Sequence, residues 1–332
     1  MKPYDQLTPA GIKRRLKKVA ELALDSYDLS IEELDYLVEE TNVFFKATGS
    51  QGKKYALKVF QEESSTIEDN LAEVFFLQEI AGRTSIAIPK VVPAKNGDPV
   101  VFVDSKYTPV VKRVAIYTWL EGEDLDGKES PEWFRELGRT AARLHEATQD
   151  LPIPRNLQPK KWDKVFNYNG ETAVYHEKKY DHHLPKGFRN LMDQVIPYMD
   201  KKLLSYYDAA VPQLIHADLN PWNVRIFEKE MRLLDFEEAM LGLPVHDLAI
   251  ALFYYRHDPA FIYEEVKAAI FEGYEEVRPL PAFTDFDLEF FMAARRVNFM
   301  NYVLLIEDDP KAYLEKRMAR AQEFVEVFDV LL

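Results

Sequence analysis

Residues 214 to 226 read LIHADLNPWNVRI, which sets His216, Asp218 and Asn223 in one irregular stretch with apolar flanks. Asp218 and Asn223 are five residues apart, and Asp235 follows in MRLLDF. NVRIF and MRLLDF alternate in character around the polar EKE, so a hairpin is expected there. With a three-residue loop Phe227 pairs with Met231, and Asn223 comes opposite Asp235. An amide and a carboxylate are hard oxygen donors that suit Mg²⁺. A further carboxylate, not taken by a metal, can accept a proton from a hydroxyl. Asp and Asn are also ordinary turn residues, so the stretch by itself leaves both readings open.

The elements around it define two regions. Residues 8–24 form a basic amphipathic pattern capped by Thr8 with Pro9 in its first turn. LDYLV, VFFKAT and KKYALKVF then read as strands, the last two joined by GSQG as a hairpin. SSTIEDNLAEVFFLQEIAG switches to helical spacing through Ile67, Leu71, Val74, Phe75 and Gln78, with Ser65 and Glu68 as a capping box. KVVPA, VVFVD and VKRVAIYTWL follow as strands and stop at the polar EGEDLDGKES, where the lobe boundary falls. Beyond it, SPEWFRELGRTAARLHEAT has Ser130 as N-cap and Phe134, Leu137, Ala141 and Leu144 on one face. Residues 186–208 and 247–332 are mostly helical in pattern, with one β region near 223–236. The expected organisation is therefore α+β, with residues 1–118 and 119–332 as two lobes.

The chain of 332 residues, 47% hydrophobic, is long enough for two cores. Its net charge of -14 disfavours nucleic acid and anionic membranes as partners. The absence of cysteine excludes disulfides, thiolate metal sites and a Cys nucleophile. No signal-like or spanning apolar run occurs, so a soluble cytoplasmic protein is expected. Oligomeric state is not legible.

A strand lysine, Lys58 in YALKVF, and a helix glutamate, Glu73 in LAEVFFLQEI, precede the Asp-Asn-Asp cluster. With HADLNPWN and LLDFEEA, this ordered set resembles the aminoglycoside phosphotransferase and choline kinase-like family, which also includes homoserine kinase-like members. LGRTAARLHEAT and PVHDLAIALF add to the resemblance. It implies a bilobal protein kinase-like fold. The N-lobe would be small and β-rich with one main helix. The C-lobe would be larger and helical, with a short hairpin at the active site. It further implies transfer of the γ-phosphate of ATP, or of GTP, to a hydroxyl of a small molecule. In that reading Lys58 holds the α and β phosphates and Glu73 orients it. Asp218 takes or orients the hydroxyl proton, and Asn223 and Asp235 bind Mg²⁺. His216 and the buried Asp247 support the loop. Thr118, Trp119 and Leu120 form the hinge facing adenine. Trp222, Glu237, Tyr254, Arg256 and Arg295 are the acceptor candidates. Acidic residues would suit an aminoglycoside or choline; an Arg would suit a carboxylate-bearing acceptor such as homoserine.

The sequence departs from the protein kinases in several places. The first turn is EETN, without phosphate-cradling glycines, and Ala217 replaces the Arg after His216. Asn220 stands where a Lys is common, and the metal segment reads D-F-E, which leaves Glu237 open as a second metal ligand or a solvated strand-end carboxylate. Asp235 and Asp247 are only 12 positions apart, and FEEAMLGLPVH has no Ser, Thr or Tyr, which argues against a peptide-docking segment. A bacterial Ser/Thr protein kinase of the same fold is the first rival. A metal-dependent phosphohydrolase using His216, Asp218, His246 and Asp247, or a non-catalytic nucleotide-binding protein, are lower alternatives.

Overall fold

The computed structural model describes residues 2–62, 64–168 and 170–330. In chain order the elements are α1 (Pro9–Leu24), β1 (Ile31–Glu39), β2 (Val43–Gly49), β3 (Lys54–Val59), α2 (Ile67–Ala81), β4 (Val91–Val92), β5 (Val101–Val103), β6 (Lys112–Thr118) and β7 (Glu123–Asp124). Then come α3 (Pro131–Thr148), α4 (Phe188–Ala209), β8 (Gln213–Ile215), β9 (Val224–Phe227), β10 (Glu230–Leu233), β11 (Met240–Gly242), α5 (Pro244–Phe253), α6 (Tyr263–Glu275), α7 (Asp285–Ile306) and α8 (Lys311–Val327). They form two compact units.

Unit 1 comprises Met1–Asp124, Pro152–Pro159 and Val224–Glu237. Its main sheet is antiparallel in the order β1-β2-β3-β6-β4, with β5 also on β6. The inner strands alternate apolar side chains toward α1, so Leu16, Val19, Ala20, Phe45, Leu57 and Ile116 close one core. The β9–β10 hairpin belongs here, not with the second lobe as the division after residue 118 had it. Two tertiary links hold it: β7 pairs with β9, and Leu233 N–H donates to the Ala87 carbonyl at 3.2 Å. The hairpin loop is Glu228-Lys229 rather than three residues. Phe227 pairs with Glu230, and the ladder runs to Val224 opposite Leu233. Glu228 takes φ 56°, which allows the tighter loop and moves the register by one.

The cap of α2 also moves by one. Thr66 and Asp69 form the capping box, because Ser65 Oγ is taken by Asn70 and the Ser65 carbonyl by Arg113. The expected apolar stripe of α2 is corrected too. Leu71 is exposed, while Asn70, Glu73, Val74, Leu77 and Ile80 are buried.

Unit 2 comprises Leu125–Leu151, Lys160–Asn223 and Glu238–Leu332. Thr8 and Ser130 cap α1 and α3 as expected, each with Pro in the first turn. In unit 2, α3 and α6 cross at glycines. A Cβ on Gly138 would lie 1.9 Å from the Ile270 carbonyl oxygen, and one on Gly273 1.9 Å from that of Arg135. No side chain fits there, so the two backbones meet directly. The β8–β11 pair, absent from the sequence reading, braces the chain just before His216. Among the described residues no helix is long and apolar enough to cross a membrane.

Candidate active site

In unit 1, β3 carries Lys58 into the protein, 1% exposed, paired with Phe44 on β2 and Ala115 on β6. Its Nζ lies 2.9 Å and 3.1 Å from the two carboxylate oxygens of Glu73 on α2. It also lies 3.2 Å from Glu237 Oε2. Burial disfavours the ammonium, but Glu237, Glu73 and Asp235 outweigh it and hold the pKa above the ordinary lysine value. The Tyr117 hydroxyl donates to Glu73 at 3.0 Å. Asn42 Nδ2 donates to Glu237 at 2.6 Å, and Thr41 Oγ1 at 3.2 Å. The EETN turn thus holds Glu237 through side chains. Glu237, expected among the acceptor candidates, is placed with Lys58 in unit 1.

Asp235 has φ 51°, a strained left-handed conformation, and its Oδ1 accepts the Glu237 N–H at 3.3 Å. Of the expected hinge residues, Thr118 N–H donates to the Lys90 carbonyl, and Thr118 Oγ1 accepts the Lys90 N–H, both at 2.9 Å. Trp119 N–H donates to the Lys54 carbonyl at 3.4 Å, and the Leu120 carbonyl accepts from Arg225 at 3.4 Å.

In unit 2, the loop after β8 is fixed by Asp247 at the start of α5. Its fully buried carboxylate accepts from His216 N–H (2.9 Å) and Ala217 N–H (2.6 Å), and from His145 Nε2 (2.9 Å). Burial pushes its pKa up, but the His145 and backbone hydrogen bonds bring the net value below the ordinary range. Those two backbone bonds clamp Ala217, a non-glycine residue at φ 62°. His216 is buried, and its Nδ1 accepts the Asp218 N–H at 3.3 Å.

The Asp218 carboxylate receives Asn220 Nδ2 (2.9 Å) and Asn223 Nδ2 (2.8 Å) on Oδ2, and Arg295 Nη2 from α7 on Oδ1. Asn220 Oδ1 accepts the N–H groups of Trp222 and Asn223, both at 2.9 Å, which rounds the loop into a tight turn.

Arg295 is the acceptor candidate brought against Asp218. Burial opposes its charge, yet Asp218, Tyr168, Tyr254 and Glu238 together raise its pKa. Its Nε is buried without a hydrogen-bond partner among the described residues. Tyr254 lies beside Arg295 and meets Trp222 edge-on at 5.1 Å; Trp222 is 49% exposed. Arg256 is elsewhere in unit 2, paired with Glu289 at 2.6 Å. A void of about 10 Å³, the size of one water, lies among Tyr168, Glu238, His246, Asn298 and Arg295. His246 there is stacked on Phe291, and burial holds its pKa down to about 3.

Sequence reasoning gave no site role to Tyr117, Tyr168 and His145, noted Asn42 only within the EETN turn, and noted Asn220 only as standing where a Lys is common. Only Asn220 carried a local signal, as an Asx residue three before Asn223.

The donor sets fit a divalent cation. Three carboxylates, Glu73, Asp235 and Glu237, act on the one ammonium of Lys58, which leaves unit 1 surplus negative charge. In unit 2, Asn223 spends its Nδ2 on Asp218, and its amide oxygen is a hard donor of the type Mg²⁺ prefers. Among the described residues no cluster of three or more His, Cys, Asp and Glu is arranged for a metal, so the His-based hydrolase centre has no such arrangement behind it.

A lysine–glutamate pair on a strand and helix, with a clamped Asp-Asn loop, is the equipment of a phosphotransferase. The model of the phosphotransferase enzyme family (APH) matches residues 32–280, and the chain belongs to that family. It is a kinase with an alcohol group as acceptor. A homoserine kinase of Methylobacterium radiotolerans is 27% identical over 294 residues, 85% of this chain and 81% of that protein. A homoserine kinase of Gluconobacter oxydans is 30% identical over 207 residues, 54% of this chain and 59% of that one. Among solved structures, a microcompartment-associated aminopropanol kinase superposes with TM-score 0.73 at 22% identity, covering 95% of this chain and 99% of its own. The amicoumacin kinase hAmiN, in complex with AMP-PNP, Ca²⁺ and Ami, also gives 0.73, at 16% identity over 96% of this chain and 100% of its own. The kinase-like α+β fold expected from the sequence is therefore found.

Proposed function

We propose that this kinase transfers the γ-phosphoryl group of ATP to a small alcohol that also carries an amino and a carboxylate group, a hydroxy amino acid of the homoserine type. The observation that carries the acceptor class is Arg295: one nitrogen holds Asp218 while its Nε is buried without a hydrogen-bond partner among the described residues. That donor suits a substrate carboxylate. Glu238, and Glu171 near it, suit the ammonium of the same molecule. The names of the relatives, homoserine kinases at 27% and 30% identity, support the same class.

The chemistry asked of the protein is modest, because phosphoryl transfer needs positioning and charge neutralisation more than covalent help. Asp218, turned by Asn220, Asn223 and Arg295, orients the hydroxyl and accepts its proton. Lys58, oriented by Glu73, holds the α and β phosphates. Asn223 in unit 2 and Asp235 in unit 1 are each a hard donor of the type Mg²⁺ takes, and that ion would supply charge neutralisation on the phosphates.

The test is nucleoside diphosphate release with ATP and with GTP across homoserine, aminopropanol, choline and an aminoglycoside. Homoserine is expected to give the highest kcat/KM, and Asp218→Asn to lower kcat by about 10²–10⁴-fold. Turnover that survives Asp218→Asn, or a preference for acceptors without a carboxylate, refutes the proposal.

A further inference from the structure

Two consecutive arginines on α7 face different surroundings. Arg295 meets Asp218, whereas Arg296 lines a cavity of about 210 Å³ among α6, α7, α8 and the segment after α5. Successive residues on a helix point about 100° apart, which permits this division. Arg296 is 2% exposed, and its Nε and Nη2 have no hydrogen-bond partner among the described residues. The Phe253 ring centre lies 5.6 Å from its guanidinium carbon. The hydroxyl of Tyr263, on the same wall, is also buried and without a hydrogen-bond partner among the described residues.

The other cations of the wall have their own carboxylates. Arg256 lies 2.6 Å from Glu289, Lys267 2.7 Å from Glu264, and Arg320 3.0 Å from Glu323. Asp285 is also in the wall. Glu289 acts on Arg296 only through space, and buried guanidinium N–H groups left without a hydrogen-bonded acceptor are costly, so they need a reason. Burial, and then the like charge of Arg317, Arg256 and Arg320, hold the Arg296 pKa down to about 10 although the Glu289 charge offsets part of this, and it is still charged at neutral pH. His257 beside it is held down to about 4 by burial and the arginines, so it stays neutral there and adds no positive charge.

Nε and Nη2 share one edge of the guanidinium, and their parallel N–H bonds match the two oxygens of a carboxylate. We propose that this cavity is a second ligand site, for a small monocarboxylate held bidentate by Arg296 and capped by the Tyr263 hydroxyl. The Asp285 charge in the wall favours a single negative charge over a phosphate dianion. The cavity is too small for a nucleotide.

The test titrates the full chain with acetate, L-lactate and inorganic phosphate against sodium chloride of equal ionic strength. Thermal shift and calorimetry give the readout. Acetate or lactate is expected to raise the wild-type Tm in a saturable way. Arg296→Met is expected to weaken binding at least about tenfold, and without ligand to melt no lower than wild type, since it removes an unpaired buried charge. Tyr263→Phe is expected to weaken binding about two- to tenfold, the worth of one hydrogen bond. Equal responses of wild type and Arg296→Met, or no saturable response to either carboxylate, overturn the site. Tighter binding of phosphate than of both carboxylates overturns the ligand class.

Discussion

Asp247→Asn changes one oxygen to an NH₂ and nothing else in size. The carboxylate now accepts three N–H donors, two of them the backbone N–H groups of His216 and of the strained Ala217. Whichever oxygen the amide nitrogen replaces, at least one donor then faces another donor. Placed at Oδ1 it opposes the Ala217 N–H; placed at Oδ2 it opposes His216 N–H and His145. Losing one charge-assisted bond costs about 1.5–3 kcal/mol, and the stranded buried donor adds about 1–3 kcal/mol. Relaxation of Ala217 out of φ 62° returns about 1 kcal/mol.

The net loss is about 1.5–5 kcal/mol, which is a Tm drop of roughly 3–20 °C for a unit of this size. Because Asp218 is the next residue but one to His216, loosening the loop should lower kcat at least about tenfold. The pH sign follows from the depressed pKa of Asp247. Its stabilisation is complete above the unfolded value of about 3.9 and is lost as pH falls below that, through the folded value. Urea melts of both proteins should therefore stay separated by a constant gap from pH 8 to about pH 5, and the gap should close only in stronger acid. A loss under about 1 kcal/mol, or a gap that already shrinks between pH 7 and pH 5, refutes the clamp.

Two further outcomes are expected. The buried His246, with its pKa held down to about 3, binds a proton less readily folded than unfolded. Its neutral form favours folding above about pH 6.5, and that stability is lost as pH falls toward 3; the loss is on the order of 3 kcal/mol at pH 4. His246→Phe, which keeps the stack on Phe291, should flatten the acid limb of a Tm-versus-pH curve. Lys58→Met leaves Glu73 and Glu237 without their cation and should cost about 3–5 kcal/mol, read by urea denaturation, and abolish ATP binding by equilibrium dialysis. Since Lys58 is held above its ordinary pKa, that deficit should be constant up to about pH 10 and shrink only beyond it.

Signals that depend on near neighbours in sequence were legible. Thr8 and Ser130, each followed by Pro, start their helices because capping needs only the next three residues. The α2 cap shows where that fails. SSTIED contains two overlapping capping boxes, and the choice of Thr66 rests on Asn70 and Arg113 occupying Ser65. The two- and three-residue strands β7, β8 and β11 carry no periodicity of their own and exist because a partner strand lies beside them. Likewise, Glu73 sits at a position that helical spacing reads as the rim of α2, yet it is buried because Lys58 and Tyr117 meet it there.

The sequence by itself determined the family and the kinase-like α+β architecture, and offered Lys58, Glu73, Asp218, Asn223, Asp235 and Asp247 as candidates, because type and spacing along the chain carry those. Only the tertiary structure decided which charges meet. Arg295 comes to Asp218 from 77 residues away, and Glu237 joins Lys58 through Asn42, 195 residues before it. Salt bridges and hydrogen bonds act over a few ångströms, and a chain with 42 basic and 56 acidic residues offers many pairings that only the folded backbone can select.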